Sequence, residues 1–480
     1  MKIKNAILPG TDPRSRWDVH FESNTITRID PAAATNYDSD PSPLLLPPLC
    51  HPHIHLDKAY LLTCNSQHLP STHAGEDQSK HPDYSDLTPQ DGSFAEALKF
   101  TSLAKQRYTA EDLYLRGAQL LATSLQQGVS SCRAFVEVDH VTGQLCLQAA
   151  IRLKECFHGK MKVQICAFAQ EPIFSTEHGE ENRKVLQHAL DECGDHIEVL
   201  GTTPYVEKSM EASRRNIEWA IETALMYSLH LDFHLDYNLD ESQRPLAPDV
   251  LRLLQGKKWN ERADPRKTIV LGHCSRLTLL GDMEMAVFAL AIRNSGLPIH
   301  FVGLPTSDLF MMGRPPQSPL PANSKSANRL RGTLQVLDMI KERQLNCCLS
   351  VNNVGNAFTP WGTGDPLALA SLGVGIYQAG TDEDANLLFE CVSSRARRAI
   401  GLGTSSALHA GDSDAMQLDD DDTTELKEGR KGELLLIKNK EFVICPGHLG
   451  IKVPARQRIS VRDVVWDPPQ DDLRQILRSG

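Results

Sequence analysis

Short apolar runs alternate with amphipathic helical stretches along most of this chain, and few folds accommodate that pattern. VSSCRAFVEVD precedes a helix predicted around residues 143–156. KVQICAFAQE precedes ENRKVLQHALDECG, and HIEVLGTTPYV precedes MEASRRNIEWAIETALMYS. LHLDFHLDYN, RKTIVLGHCS, LPIHFVGLP and NCCLSVNNVG follow as further strands, most with helices behind them. Strands that alternate with helices pair in parallel, and a closed eight-stranded barrel suits about 350 residues of such alternation. The expected fold class is therefore α/β, a (β/α)8 TIM-like barrel.

The two ends differ in character. KIKNAILPG and FESNTITRID at the start read as hairpin strands, and GELLLIKNK, EFVICPG and RQRISVRDVVWDPP read as strands at the far end. Two stretches read as irregular. Residues 63–93 are polar and rich in Pro and Ser, as a long loop or lid would be, and residues 411–431 carry the acidic run of a solvated loop.

Charge narrows the partners. A net charge of −11 and a pI near 5.9 argue against nucleic acid or an anionic membrane, and no basic stripe interleaved with aromatics occurs. No apolar run is long enough to span a bilayer, and MKIKNAILPG has no signal-peptide core. The twelve cysteines form no C-x-x-C pair. They read as the reduced thiols of a cytoplasmic protein. The expected partner is a small molecule, and self-association into a homo-oligomer is compatible with this composition.

The stretch HPHIHLDKAY, residues 51–60, follows the apolar run PLLLPPLC. Residues two apart in an extended chain share a face, so His53 and His55 should project side by side with His51 on the same row. Active sites of α/β barrels lie at the C-terminal ends of the strands, so polar residues ending the strand candidates are the informative ones. They are His234 in LHLDFHLDYN, His273 in TIVLGHCSRL, and Asn352 and Asn353 in NCCLSVNNVG. Three histidines and an open position suit a catalytic zinc or iron.

In this order the motifs resemble those of the amidohydrolase superfamily, and within it the branch of cytosine deaminases and N-isopropylammelide amidohydrolases. PPLCHPHIHLDKAY, KVQICAFAQEPIFS, DFHLDYNLDES, IVLGHCSRL, MMGRP and NAFTPWGTGDPL carry the resemblance, from about residue 45 to 405. It implies a barrel over residues 48–404 and a small β-sandwich built from residues 1–47 and 405–480, the acidic loop 411–431 included. It also implies one divalent metal ion, zinc or iron, on His53, His55 and His234. By the same resemblance His273 faces the activated water or the attacked atom, and Gln170 hydrogen-bonds a planar heterocycle, with Lys58 and Asn353 as further substrate contacts.

Two carboxylates of the family pattern are missing. The glutamate expected after H-x-D is Tyr237, in His234-Leu235-Asp236-Tyr237, and the expected aspartate ligand is Asn352. Asn cannot take up a proton, and a tyrosine with an ordinary pKa near 10 is a poor base at neutral pH. The candidates for a replacement base are Asp236, Asp240, His273 and Lys58. Zincin, P-loop, α/β-hydrolase and compact cytidine-deaminase motifs are absent. Two functions fit: a metal-dependent amidohydrolase or deaminase cleaving a non-peptide carbon–nitrogen bond, or an amidohydrolase-like barrel that binds a metal or small molecule without turnover.

Overall fold

A computed structural model describes residues 1–33, 41–64, 68, 80–313, 330–403, 424–443 and 453–479. The acidic run of 411–423, the end of MMGRP and most of the polar stretch 65–79 lie outside the described residues.

The chain opens with a three-stranded antiparallel sheet, β1 (Lys2–Ala6), β2 (Trp17–Glu22) and β3 (Thr25–Pro31). Ser23 and Asn24 turn the second hairpin with φ of 46° and 53°, the left-handed pair that a tight two-residue hairpin demands. β4 (Leu44–Leu46) then leads into β5 (Leu49–His55), which begins the main sheet.

That sheet continues through β6 (Val129–Glu137), β7 (Lys162–Ala169), β8 (Ile197–Thr202), β9 (His230–Leu235), β10 (Ile269–His273), β11 (Ile299–Gly303) and β12 (Cys347–Leu349). The eight strands lie in chain order and all pair in parallel. The ring closes just past β12, where the His55 N–H donates to the Asn352 carbonyl (2.9 Å) and Asn352 N–H to that of His53 (3.3 Å). Every residue of β5, β6, β9, β10 and β11 is buried, as parallel strands covered on both faces should be. Helices occupy the crossovers, several started by hydroxyl caps: Ser93 for Phe94–Lys105, Thr109 for Ala110–Gln126 and Ser209 for Met210–Tyr227. The fold is a TIM-like (β/α)8 barrel, as the alternation predicts.

Both termini return to one place. β13 (Leu434–Ile437) pairs antiparallel with β4 and with β16 (Arg474–Leu477), after the short pair β14 (Phe442–Val443) and β15 (Val453–Pro454). Val19, Phe21 and Ile26 of the first sheet share an apolar core with Leu45, Leu434 and Leu477 of the second. A division of the chain at 47/48 and 404/405 remains our proposal.

One terminal segment departs from its sequence reading. Within RQRISVRDVVWDPP, Val461–Trp466 is a helix, not a strand. Ser460 accepts from the Asp463 N–H (3.2 Å), and Val464 and Val465 turn inward. The cap outweighs the β-propensity of the valines. No helix among the described residues is long and apolar enough to cross a membrane.

Candidate active site

The C-terminal ends of β5, β9 and β10 bring four histidines together. Nε2 of His234 lies 3.0 Å from Nε2 of His53 and 3.1 Å from Nε2 of His55. The three rings offer atoms all within 4.8 Å of one another. They sit on Phe135 of β6 and Phe168 of β7, whose rings meet edge to face at 5.2 Å inside the barrel. Burial in that apolar floor pushes the pKa of His53 down. It pushes those of His55 and His234 far down, with Lys58 and the neighbouring imidazoles adding to the effect. The rings are therefore neutral at pH 7, with their Nε2 atoms drawn together. This is the state in which imidazole ligates a metal.

His51 does not join them. β5 shifts register between His51 and Ile54, so the period of two breaks there, and the His51 ring faces Ser124 of a flanking helix (Nε2 to Oγ 3.2 Å). The row of three expected from the sequence is a row of two.

Support for the trio comes from within the barrel. Asp232, two residues before His234, places Oδ1 3.6 Å from His53 Nδ1, too long for a hydrogen bond but close enough to orient the ring electrostatically. Its other oxygen pairs with Arg133 at 2.7 Å, with both side chains fully buried. Such a carboxylate behind a ligating imidazole fixes its orientation and raises its basicity.

His273 is held differently. Its Nδ1 lies 2.8 Å from Asp308 Oδ1, and Asp308 Oδ2 accepts from the Thr333 hydroxyl at 2.6 Å. A carboxylate accepts from a ring N–H, so Nδ1 is the donor of this pair and Nε2 is turned away from Asp308. Tyr237 stacks on the His273 ring, with centroids 3.8 Å apart, and its hydroxyl donates to the Ser307 carbonyl (3.1 Å). Burial, with Asp308 nearby, pushes the phenol well above its usual pKa. The residue standing where the resemblance expects a glutamate is thus a clamp on His273.

Asp236 requires correction as a candidate base. Its oxygens accept from the backbone N–H groups of Leu246 (2.7 Å) and Ala247 (3.1 Å), at the start of the helix Ala247–Gly256. It does not line the recess, because the chain turns left-handed at this residue (φ 52°) and aims the carboxylate at the helix. Asp240 is an exposed residue of the following loop, bonded to Ser242, and does not line the recess either.

Asn352 also has left-handed backbone (φ 69°), and its amide donates to Ser307 Oγ at 3.0 Å. Its buried Oδ1 has no hydrogen-bond partner, and neither has Nδ1 of His53, His55 or His234. Asp236, His273, Cys274 and Asn352 all take positive φ at strand ends around the site. Clustered non-glycine outliers of this kind mark places where the fold holds side chains in imposed directions.

The recess over the trio is lined by His55, His234, His273 and Asn352, by Lys58, Gln170 and Asn353, and by an aromatic wall of Phe94, Tyr205, Tyr237 and Phe358. It spans about 260 Å³ with the open mouth included. Lys58 Nζ donates to Glu137 Oε1 (2.5 Å) and Gln170 Oε1 (3.0 Å), while Lys105 bonds Glu137 Oε2 (2.7 Å) and Asp139 (2.5 Å). Burial alone would raise the Glu137 pKa, but the two ammonium groups outweigh it and keep the carboxylate ionised.

Sequence reasoning missed Glu137, Asp139, Asp232 and Asp308. The strand-end test applied to VSSCRAFVEVD would have found the first two. No local signal ties Asp308, in LPTSDLF, to a histidine 35 residues earlier.

No protein-family model matches the chain, and no curated protein sequence matches it. Solved structures do. The 5-methylcytosine deaminase of Klebsiella pneumoniae superposes with a TM-score of 0.71 at 19% identity, over 97% of this chain and 94% of that one. N-isopropylammelide isopropylaminohydrolase of Burkholderia multivorans gives 0.65 at 18% identity, over 100% and 96%. The atrazine chlorohydrolase TrzN of Arthrobacter aurescens, solved with zinc, gives 0.54 at 14%, over 91% and 87%. The chain shares the fold of these enzymes along nearly its whole length, and the first two are of the branch that its motifs resemble.

Proposed function

We propose that the chain is a metal-dependent hydrolase acting on a non-peptide carbon–nitrogen bond of a small amide or heterocycle, as an amidohydrolase or deaminase. One observation carries the reading: three neutral imidazoles direct Nε2 at one point beside a fourth whose proton is fixed by a buried carboxylate. The donor set fits a divalent cation such as zinc, because neutral imidazole nitrogens gathered at one place are the ligands that zinc takes. A cation held by His53, His55 and His234 supplies a Lewis acid that acidifies water and polarises an electrophile.

The chain's own residues do the rest. His273, its tautomer set by Asp308, takes a proton at Nε2 and returns it to the departing nitrogen. The resulting imidazolium is stabilised by Asp308. Lys58, Gln170 and Asn353 orient the substrate, and Phe94, Tyr205, Tyr237 and Phe358 exclude water from it. The zinc in TrzN and the carbon–nitrogen chemistry named for the two deaminating relatives support the reading.

The second reading, binding without turnover, draws on Tyr237 and Asn352, which stand where the resemblance expects two carboxylates. Elemental analysis of the purified protein, followed by release of ammonia or amine from a panel of amides and heterocycles, separates them. Stoichiometric metal with release supports the hydrolase. Metal without release supports the binding module, and a chain that takes up no metal overturns the hydrolase and leaves the binding of a small molecule.

A further inference from the structure

The helix Asp282–Ser295, in the crossover from β10 to β11, is apolar on two faces. Phe288, Ala289 and Ile292 turn inward, and the Phe288 ring meets Phe301 of β11 edge to face at 6.5 Å. Met283, Val287 and Leu290 turn outward and are 75%, 61% and 48% exposed. Their spacing of four and three residues sets them in one stripe along the helix. Exposed apolar residues standing singly are ordinary on a protein surface. No other helix among the described residues carries three large ones, and a helix apolar on both faces is one that is covered on both.

The charges at the two ends of the stripe indicate what covers it. Asp282 opens the helix and Arg293 lies in its last turn. Separated by about three turns, both stand on the same flank of the stripe. Asp282 pairs with Arg343 of its own chain, but its side chain is 85% exposed and can accept from a second guanidinium. Arg293 uses one N–H on the Arg343 carbonyl and has others to offer. A second copy of the helix can lie antiparallel on this one, with the two-fold axis at Val287. Val287 then meets the partner's Val287, Met283 meets the partner's Leu290, and Asp282 stands beside the partner's Arg293. Helix ends of opposite polarity also meet. Parallel packing would instead oppose Asp282 to the partner's Asp282 and Arg293 to the partner's Arg293, so the charge pattern selects the antiparallel arrangement.

We propose that this helix is the contact face of an isologous homodimer, packed antiparallel on the same helix of a second copy. None of its residues lines the recess, so pairing here does not depend on the chemistry of the site. Its 14 residues span about 21 Å at about 1.5 Å per residue. A strip of that length and one helix wide falls short of the roughly 800 Å² a side that stable interfaces bury, so the pairing is reversible, with a micromolar Kd.

Sedimentation velocity of the full chain at concentrations from about 1 to about 100 μM tests it, since that range brackets a micromolar Kd. The mass should rise from that of the 53.2 kDa chain toward twice it. Val287→Glu sets two like charges against each other at the axis and should weaken the pairing at least about tenfold. Val287 faces solvent, so the change costs the fold little. Mild oxidation reads the register. Val287→Cys should cross-link to a second copy, above the background that the exposed Cys156 gives in the wild type, because a disulfide needs Cα atoms within about 7 Å. Met283→Cys should not link to itself, but should link when mixed with Leu290→Cys. A chain that stays monomeric at every concentration overturns the proposal. So does a dimer that Val287→Glu leaves intact, one that Val287→Cys fails to link, or one in which Met283→Cys links to itself. If Val287→Glu misfolds, the cross-links decide.

Discussion

The ring of Tyr237 lies on that of His273, 3.8 Å between centroids and 27° between planes, while Asp308 grips the opposite edge of the same imidazole at 2.8 Å. A histidine held from two sides has one orientation and one tautomer. The phenol stands where the resemblance expects an acid, yet its contact is a ring stacked on His273.

Tyr237→Phe should accordingly be mild. It removes one hydrogen bond to the Ser307 carbonyl, worth about 1 kcal/mol, and keeps the stacking. Denaturant titration should show that modest loss, with kcat within about tenfold of wild type. A folded variant with no turnover would make the phenol a proton carrier, contrary to its upward-shifted pKa.

Asp308→Asn should be severe. Asn can present its amide to Nδ1 and reverse the tautomer, which removes the lone pair from Nε2. We expect kcat to fall by about 10²- to 10⁴-fold with metal content unchanged. Wild-type activity in this variant would move the proton transfer to another residue.

His234→Ala removes the nitrogen that those of His53 and His55 both approach. Elemental analysis should show metal occupancy falling from near one per chain to a small fraction. Retained stoichiometric metal would place the metal site elsewhere.

Asp236 provides a pH test. Burial pushes its carboxyl up to about 6 in the fold, above the 3.8 of the unfolded chain. The native state then holds a proton that the unfolded state has released, so this group's contribution to stability is full below about pH 4 and is lost as pH rises through 6. Asp236→Asn does not titrate, so the stability of wild type relative to the variant should decline across that window. Denaturant midpoints at pH 4, 5 and 6.5 would show it, and a constant difference would mean that the carboxyl is not shifted.

Much of the site could be read from the chain because its signals are local. Strand periodicity places His53 beside His55, and burial of a parallel strand explains why His234 and His273 stand out as polar residues ending apolar runs. Alternation of strand and helix was enough to predict an eight-stranded ring, since parallel pairing requires the crossovers that the helices supply. The tertiary structure decided the pairings. Asp236 follows His234 closely but is turned to a helix start by one left-handed residue, and Asp308 reaches His273 from the next crossover. His51 is lost from its row by a register shift in β5. Glu137 gains two lysines, 79 and 32 residues away in sequence, only when β6 joins the ring. A sequence records which groups are present. Which carboxylate meets which imidazole depends on the backbone angles of a few loop residues and on contacts between distant segments, and no local pattern encodes either.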